Sequence, residues 1–473
     1  MEELLERELK WDVDERFVVP INDIVGGADV EQSCVELSSA YYDTADHDLQ
    51  AHGVLLRRRE GDDDTMWQLE APDAEGRIEV RSRLSDTPPS ELTDLLTGLR
   101  LGKPLINVAT IRTVRDRYRI TDPKHHRLCA EVADDHVRAS VDHRLLAWRE
   151  IAVELGDAAP SLPRRLADRL RKAGARPSPY PSKLARISPA VRTESADETP
   201  APRGLAQYMT EQIDAIFDSD LGLRRGHDPI HDTRVAIRRL RSTLRVFGKL
   251  LDPSEVGNLD EELRWFAGLL GEVRDCQVQR RRFGNVLADW PPELVLGPVA
   301  NRINTDLHSV QLQARRQVAD AMNSPRYLDI LTTLQRWRAT PPVAKPLTIK
   351  ALKKRARRAE RKADRRLAAA IRTGDGDLLH RARKAAKRAR YAAELIGPVD
   401  KPKSAKKTVK HYKRIQRILG EHQDSVVASD TLYRLAITAG TTAGENGFTY
   451  GLLYAREQRA AEAARNRSRD LVG

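Results

Sequence analysis

Two carboxylates and a lysine alternate near the start of the chain, in the segment Glu6-Arg7-Glu8-Leu9-Lys10. Because alternate side chains of a β-strand share one face, a strand here places Glu6, Glu8 and Lys10 together, with the two carboxylates about 7 Å apart. Carboxylate oxygens suit a hard divalent cation, and the lysine could hold an anion that the cation also binds. The alternative is a solvated edge strand of mixed charge.

Charged side chains also alternate along later segments. They are Arg57 and Arg59; Arg77, Glu79, Arg81 and Arg83; Arg115, Arg117 and Arg119, with Arg112 nearby; and Glu150 and Glu154. If these faces point inward, the strands enclose a tunnel in which arginines bind phosphate oxygens and carboxylates hold Mg²⁺ or Mn²⁺. The alternative, an outer location for these charges, stays open on the pattern alone.

The elements that would position these residues are strands. Period-two alternation recurs in residues 4–12, 38–45, 54–60, 66–71, 77–84, 110–120, 127–133, 137–142 and 147–155, with turn-like clusters between them. Eight or nine antiparallel strands predict a closed barrel or a sandwich. Residues 90–100 predict one short helix, and residues 161–176 a basic helix.

The net charge of +12 is unevenly distributed along the 473 residues. Residues 1–200 contain 29 Lys+Arg and 38 Asp+Glu, whereas residues 201–473 contain 52 and 31. This asymmetry predicts two domains and a polyanionic partner for the second. The three cysteines fit no CxxC pattern, which argues against a disulfide framework or a zinc site. Without a signal-peptide core or an apolar run long enough to span a bilayer, we expect a cytoplasmic protein with no membrane partner.

A segment rich in Pro, Ser, Thr, Glu and Ala, residues 188–203, predicts a linker. Helical periodicity follows, and the sequence repeats itself at an offset of 149 residues: His231 and His380, Gly271 and Gly420, and Asp275 and Asp424 form such pairs. Each copy predicts four helices. Their ranges are 204–221, 228–250, 255–286 and 299–322, then 349–372, 377–396, 404–437 and 447–471.

Each histidine begins a helix with a basic face. The two faces carry His231, Arg234, Arg238, Arg241 and Arg245, and His380, Arg383, Lys387 and Arg390 before Glu394; Lys413 and Arg417 follow on the next long helix. A lone histidine at a helix start is usually a cap or a surface group, but this duplication favours a function. No second His or Cys lies at ligand spacing from His231, so the residues suit binding of a flexible polyanion, with histidine gaining charge as pH falls.

The first half resembles the CYTH domains, also called triphosphate tunnel metalloenzymes. The resemblance rests on Glu6-x-Glu8-x-Lys10, Leu56-Arg57-Arg58-Arg59, Arg77-Ile78-Glu79-Val80-Arg81, Ile111-Arg112, an acidic turn at Glu131 and Asp134-Asp135, the segment Trp148 to Leu155, and Ser182-Lys183. It implies that residues 1–187 form an eight-stranded antiparallel β-barrel tunnel. The implied activity is metal-dependent hydrolysis of a terminal phosphate from a triphosphate or polyphosphate.

The same resemblance implies roles for individual residues. Catalysis falls to Glu6, Glu8 and Lys10; metal binding, of Mg²⁺ or Mn²⁺, to Glu6, Glu8 and Glu154; and phosphate binding to Lys10, Arg57, Arg59, Arg81, Arg112 and Lys183. Two positions depart from the family pattern, because relatives commonly have lysine at Glu70 and glutamate at Ala152. Since phosphoryl transfer depends on positioning and electrostatics, a reversed charge can leave binding intact while turnover falls.

Residues 204–471 resemble the CHAD domain, through the paired His-x-x-Arg helices and the paired Leu-Gly-Glu-x-x-Asp turns. The family implies two four-helix bundles with pseudo-twofold symmetry, over about 204–322 and 349–471, and a basic groove that binds inorganic polyphosphate. The residues expected to bind it are His231, Arg234, Arg238, Arg241, His380, Arg383, Lys387, Arg390, Lys413 and Arg417. A CYTH domain followed by a CHAD domain is a known arrangement.

The predicted fold class is therefore an α+β domain followed by an all-α domain, and two functions stand beside each other. One is a metal-dependent triphosphatase or polyphosphatase whose helical domain grips the polymer. The other is a non-catalytic protein that binds polyphosphate or associates with polyphosphate granules. Nucleic acid is a distant third, because the basic helices are poor in aromatic residues and carry no recognised motif; nonspecific, salt-sensitive binding in vitro is expected.

Overall fold

The computed structural model describes the chain apart from residues 1, 7, 22–28, 62–64, 74–75, 123–124, 126, 142–143, 157–161, 189–198, 345, 401 and 472–473. For residues 2–6, 141, 144 and 162–164 it describes the backbone only. The chain divides into two compact units, residues 1–193 and 194–473.

The first unit contains one antiparallel sheet. Its strands are β1 (Glu2–Glu6), β2 (Glu8–Val13), β3 (Asp29–Asp43), β4 (Leu55–Glu60), β5 (Met66–Asp73), β6 (Gly76–Ser82), β7 (Ile106–Thr121), β8 (Leu128–Val141), β9 (Arg144–Leu155) and β10 (Arg176–Pro177). In the described residues, four short helices accompany them: α1 (Asp48–Ala51), α2 (Ser90–Leu95), α3 (Leu162–Lys172) and α4 (Lys183–Ile187). The strand order is β1-β6-β5-β4-β3-β7-β8-β9-β2-β10.

The sheet is curled, as its pairing requires. β1 pairs with β6, and β2 pairs with β9. Only one residue separates β1 from β2 in the chain, although they lie far apart in the strand order. The sheet must therefore bend until β6 and β9 both reach the same N-terminal segment.

The predicted eight-stranded closed barrel is corrected to this curled sheet of ten strands among the described residues. The predicted strands 127–133 and 137–142 are one strand, β8, which stays in register with β7 and β9 through Asp134 and Asp135. The two aspartates lie in the middle of β8 rather than in an acidic turn. Each is neutralised there by an arginine of a neighbouring strand, Arg149 or Arg115, at 2.7 Å.

The two faces of the sheet differ in chemistry. On the outer face, helix α3 packs Leu166 and Leu170 against Ile151, Val153 and their neighbours. On the inner face, one end is filled by an apolar cluster in which Tyr41, Leu55 and Ile111 meet Leu184 and Ile187 of α4. A fully buried leucine contributes about 1.5–3 kcal/mol of transfer free energy, so these clusters hold the curled sheet and leave the rest of its interior to charged residues.

The second unit is helical. Its helices are α5 (Pro200–Arg224), α6 (Ile230–Phe247), α7 (Pro253–Val256), α8 (Leu259–Ala288), α9 (Val299–Met322), α10 (Pro325–Ala339), α11 (Ile349–Thr373), α12 (Gly376–Ile396), α13 (Pro402–Gly440) and α14 (Phe448–Arg469). Each of the eight predicted helices is present. Residues 200–203, assigned to the linker from the sequence, begin α5 instead, because proline is tolerated in the first turn of a helix.

Helix α10 was missed by the sequence analysis. Ser324 caps its N-terminus by accepting a hydrogen bond from the backbone N–H of Tyr327. Its buried residues, Tyr327, Ile330, Leu331, Leu334 and Trp337, follow helical spacing. The four-helix repeat left no place for a further helix between the copies, and this obscured a signal that the sequence does contain.

The two repeats use the same helix contacts. In the first, α5 packs on α6, α6 on α8, and α8 on α9; in the second, α11 packs on α12, α12 on α13, and α13 on α14. The histidine helices α6 and α12 also pack on each other. The equivalent contacts agree with a duplicated unit, whereas pseudo-twofold symmetry itself stays a prediction.

Candidate functional site

A polar cavity lies inside the curled sheet. Its volume is about 720 Å³, measured out to open solvent. Five cations and three carboxylates line it, namely Lys10, Arg57, Arg59, Arg115 and Lys183, and Glu8, Glu70 and Glu154. These charged faces therefore point inward, as one of the two interpretations of the alternating pattern predicts.

Strand β2 carries Glu8 and Lys10 to the cavity on one face. The Lys10 ammonium lies 3.0 Å from the Glu8 carboxylate. Desolvation would raise the pKa of Glu8, but Lys10 and Lys183 outweigh it, and the pKa is lowered. Glu8 is therefore an anion that is already partly neutralised. The side chain of Glu6, on β1, lies outside the described residues.

Glu70 forms ion pairs with two arginines. Its carboxylate lies 2.8 Å from Arg57 Nη2 and 3.5 Å from Arg77 Nε. Burial would raise the pKa of Glu70, but these guanidinium groups outweigh it and lower the pKa. Arg57 also donates to Gln68 Oε1 at 2.7 Å. The carboxylate at position 70 thus neutralises an arginine that was expected to bind phosphate.

Lys183 and Arg115 belong to a second paired cluster. Ser182 caps α4 by accepting from the Ala185 N–H at 3.0 Å, and this cap places Lys183 in the first turn. The Lys183 ammonium then meets Asp135 at 2.7 Å and Glu150 at 2.8 Å. Arg115 donates to both oxygens of Asp135 at 2.7 and 2.8 Å. After desolvation, which opposes it, the charges of Lys183 and Arg115 lower the pKa of Asp135 and keep it ionised.

Three glutamates form a row across neighbouring strands. Glu154 on β9 lies directly opposite Glu8 on β2 and Glu131 on β8. Desolvation, followed by the charges of Glu131 and Glu8, raises the pKa of Glu154. No group of three or more His, Cys, Asp or Glu side chains converges as a metal site in the described part of the chain. The donor chemistry still fits a hard divalent cation, because it would neutralise the repulsion that raises this pKa.

The other predicted tunnel residues fall into different places. Arg59 lines the cavity. Arg81 forms an ion pair with the buried Glu79 and is not among the lining residues. Arg112 is exposed, and its assignment to the tunnel is wrong, because Ile111, Thr113 and Arg115 occupy the inward positions of β7. Ala152 is buried opposite Lys10, so no carboxylate faces that lysine from β9.

The sequence analysis noted Arg115 in an alternating charged face and Asp135 in a predicted acidic turn, but it assigned neither residue a role in the site. The parity of β7 contained the signal, because residue 112 cannot share a face with residues 115, 117 and 119. No comparable signal marks Asp135, whose role depends on Lys183 approaching from another element.

Both repeats of the helical unit contribute to one basic cluster. We define the central cluster as Arg234 and Arg238 of α6 with Arg383 and Lys387 of α12. Arg234 lies 3.3 Å from Asp275 and donates to the Gly271 carbonyl at 3.2 Å. A Cβ at Gly271 would lie 3.5 Å from Arg234 Nη2, and one at Gly420 would lie 3.6 Å from Arg383 Nε. The two arginines therefore lie against equivalent helix glycines.

The charge of the central cluster is only partly balanced. Arg383 lies 3.8 Å from Asp424, its nearest acidic partner. Burial, then the charges of Arg383, Arg238 and Arg234, lower the pKa of Lys387 to about 7. Burial is the largest cause of this shift, and the three arginines add to it because Asp424 offsets their charge only in part.

The remaining predicted residues of this unit are more dispersed. His231 is exposed and His380 partly buried; burial, then a nearby cation, lowers the pKa of each, Arg274 for His231 and Lys384 for His380. Arg241 lies 3.0 Å from Asp260, and Arg390 lies 2.8 Å from Glu394. Lys413 and Arg417 are exposed on α13. Arg383 and Arg238 are among the main charges that act on Lys387, whereas Arg241, Arg390, Lys413 and Arg417 are not.

No helix in the described ranges is long and apolar enough to cross a membrane.

Comparisons with known proteins match both halves of the chain. Residues 5–186 match the CYTH domain, and residues 207–433 match the CHAD domain. Two uncharacterised proteins from strains of Mycobacterium tuberculosis are each 34% identical over 494 residues, covering 98% of this chain and 94% of theirs. PptA from Streptomyces chartreusis is similar in fold, with a TM-score of 0.50 and 21% identity over 58% of this chain and 99% of PptA. A CHAD domain from the plant Ricinus communis aligns with a TM-score of 0.46 and 26% identity, over 56% of this chain and 91% of that domain.

Proposed function

The chain belongs to the proteins that join a CYTH domain to a CHAD domain, and on that premise we propose that it binds inorganic polyphosphate through its helical unit. In this proposal its curled sheet holds a triphosphate or a polyphosphate end for metal-dependent hydrolysis. The observation that carries the proposal is the central cluster, in which four cations from both repeats lie close together with too few carboxylates.

A polyphosphate chain suits the central cluster for a physical reason. Its charge recurs at every phosphate, so one molecule can neutralise all four cations at once. The bound anion would restore the charged form of Lys387, whose pKa is about 7 in the free protein. Charge-assisted hydrogen bonds of this kind each contribute about 1.5–3 kcal/mol.

Within the tunnel, each charged group has a separate task in this proposal. Lys10, Arg59 and Arg115 bind phosphate oxygens and orient the chain. Lys183 adds positive charge from α4, and Asp135 holds Lys183 and Arg115 in fixed positions. A fixed arrangement favours a phosphoryl transition state because its charges need not reorganise during the reaction.

Glu8 and Glu154, with Glu131 beside them, are the residues that would hold a divalent cation. Bound there, the cation would neutralise charge on the transferring phosphoryl group. The chain's own contribution is the row of carboxylates across β2, β9 and β8. Glu6 is included in this proposal by its position in the motif.

A non-catalytic tunnel is the second candidate, and the Glu70 ion pairs favour it. Glu70 occupies Arg57 at 2.8 Å, and Ala152 leaves Lys10 without a partner on β9. The first reduces the positive charge that Arg57 offers to a phosphate. The second leaves the position of Lys10 less firmly fixed. In this alternative the tunnel binds the end of a polyphosphate chain without cleaving it.

Phosphate release distinguishes the two candidates. Tripolyphosphate, thiamine triphosphate, ATP and long-chain polyphosphate would each be incubated with Mg²⁺, Mn²⁺ or EDTA. The enzyme hypothesis expects metal-dependent release that is lost in Glu8→Gln and retained in Glu60→Gln, a glutamate that lies outside the cavity lining. Binding of polyphosphate by calorimetry, without metal-dependent release from any substrate, would leave the non-catalytic function.

A further inference from the structure

The basic surface around the central cluster extends to one side. We define the open arm as Arg241, Arg245, Arg264, Lys384, Arg388 and Arg366, which lie on α6, α8, α12 and α11. One carboxylate, Asp260, pairs with Arg241 at 3.0 Å and Arg245 at 2.7 Å. In the described part of the chain, Lys384, Arg388, Arg264 and Arg366 have no hydrogen-bond or ion-pair partner.

Burial and neighbouring cations both disfavour the charged forms in this arm. Burial, then Arg388 and Arg264, lowers the pKa of Lys384. Burial, then Arg245 and Arg366, lowers the pKa of Arg388. Cations from four helices therefore lie near enough to disfavour one another's charge.

The equivalent surface on the other side of the cluster is closed. We define the closed arm as Arg239, Arg390, Glu394, Tyr391 and Tyr208. Glu394 pairs with Arg239 at 3.4 Å and Arg390 at 2.8 Å. Both guanidinium groups also lie over the Tyr391 ring, at 5.9 and 5.3 Å from its centroid. Arg239 and Arg390 are thus already engaged by Glu394 and Tyr391, and an approaching phosphate would have to compete with these contacts.

The repeat offset of 149 residues shows where the two arms differ. Arg245 of the open arm corresponds to Glu394 of the closed arm, and Lys384 corresponds to Val235. Ser242, next to Arg241 and buried, corresponds to Tyr391. At these three positions the open side has the cation or the smaller side chain. It therefore carries more positive charge and leaves more room than the closed side.

The helices that flank the arms differ in the same direction. Helix α11, which packs on α12 and α6, has eleven Lys or Arg and two acidic residues. Helix α5, its counterpart in the first repeat, has two Arg and four acidic residues. Helix α10 packs on α5, where the Tyr327 hydroxyl donates to Asp220 at 3.1 Å and Arg338 meets Asp214 at 2.6 Å. Among α5, α10 and α11, only α11 carries a large excess of positive charge.

We propose that a bound polyphosphate chain leaves the central cluster in one direction only, along the open arm and α11. This inference rests on the proposed function and adds a polarity and a length dependence to it. A short polyphosphate reaches only the central cluster, whereas a longer chain also contacts Lys384, Arg388 and the cations beyond them. Glu394 prevents the chain from continuing through the closed arm.

The test compares two ligands, tripolyphosphate and long-chain polyphosphate, by calorimetry on the full chain. The open-arm variant Lys384→Gln/Arg388→Gln is expected to bind long-chain polyphosphate about tenfold more weakly, with a salt dependence shallower by about two ionic contacts. Its affinity for tripolyphosphate should stay within about twofold, because the central cluster is intact. Both side chains project from the helix surface, and thermal melting would verify the fold.

Two further variants make the comparison specific. Arg459→Gln/Arg469→Gln removes the same charge from exposed positions of α14 and should leave long-chain affinity unchanged. Val235→Lys/Glu394→Arg copies the open arm into the closed one and should strengthen long-chain binding. Equal weakening for both ligands in the open-arm variant, or for neither, would overturn the inference. Absence of any polyphosphate binding by the unaltered protein would instead overturn the proposed function.

Discussion

The cavity of the curled sheet and the basic surface of the helical unit both contain cations suited to phosphate. They differ in how many of these cations are paired with a carboxylate. In the tunnel, Lys10, Arg57, Arg115 and Lys183 each have a carboxylate within 3.0 Å. In the helical unit, Lys387 of the central cluster and Lys384 of the open arm have no such partner among the described residues. The cavity of the curled sheet is organised by ion pairs, whereas the protein neutralises the cations of the helical unit only in part. This difference teaches that a count of basic residues cannot rank two phosphate sites.

The largest expected effect comes from removing the unpaired charge. Arg234→Ala/Arg383→Ala/Lys387→Ala should weaken binding of long-chain polyphosphate to the helical unit by at least about 100-fold, since each charge-assisted bond contributes about 1.5–3 kcal/mol. Calorimetry at physiological salt measures the effect. A matched variant, Arg459→Ala/Arg469→Ala, should leave this binding unchanged, because both side chains are exposed on α14 and lie outside the central cluster. Retained affinity in the triple variant would show that the groove is not the site.

The second-largest expected effect comes from removing the Glu70 ion pairs in the cavity of the curled sheet. Glu70→Lys/Ala152→Glu frees Arg57, adds a cation and returns a carboxylate opposite Lys10. Metal-dependent phosphate release should rise by about 100-fold, the lower end of the range associated with one well-placed donor. Glu70→Gln alone should give a smaller rise, because it frees Arg57 without adding charge. If release falls in both variants, the Glu70 ion pairs support turnover and the comparison is wrong for the tunnel.

The pH dependence of polyphosphate binding is a smaller effect. The pKa of Lys387 is about 7, set by burial and by Arg383 on α12 and Arg238 and Arg234 on α6, against Asp424 on α13. Because the anion favours the protonated form, affinity should rise as pH falls from about 8 to about 6, with uptake of up to about one proton. Calorimetry in buffers of different ionisation enthalpy counts the protons. In Lys387→Met this uptake should disappear.

The smallest predicted effect is on stability. The free energy of unfolding should rise with pH, whereas the affinity for polyphosphate should fall. The folded-state pKa of Lys387 is depressed from 10.5 to about 7, so the unfolded chain binds more protons between these values and the free energy of unfolding rises with pH across that window. Below it the cost of burying the charge is fully present. Lys387→Met should therefore raise the melting temperature of the ligand-free protein at about pH 6, by about 2–4 °C for each kcal/mol regained. An unchanged or lower melting temperature would contradict the depressed pKa.

Much of the fold and part of the site could be predicted from local pattern. Period-two alternation located most strands, and the offset of 149 residues located the paired helices. The pattern failed where contacts between distant elements decide the outcome. Asp134 and Asp135 were expected in a turn but continue β8, since Arg149 and Arg115 neutralise them. Arg112 was assigned to the tunnel through the family resemblance of Ile111-Arg112, although the parity of β7 directs it outward.

The sequence by itself determined that the chain has two units of opposite charge, the residue types at each motif, and the duplication of the histidine helices. These properties depend on spacing along one strand or one helix, which the chain order contains. Tertiary structure decided which charges are paired. Glu70 faces Arg57 and Arg77 because β5 lies between β4 and β6, and Glu394 faces Arg239 because α12 packs on α6. The energy of a charge depends on its neighbours in space, and packing alone supplies those neighbours.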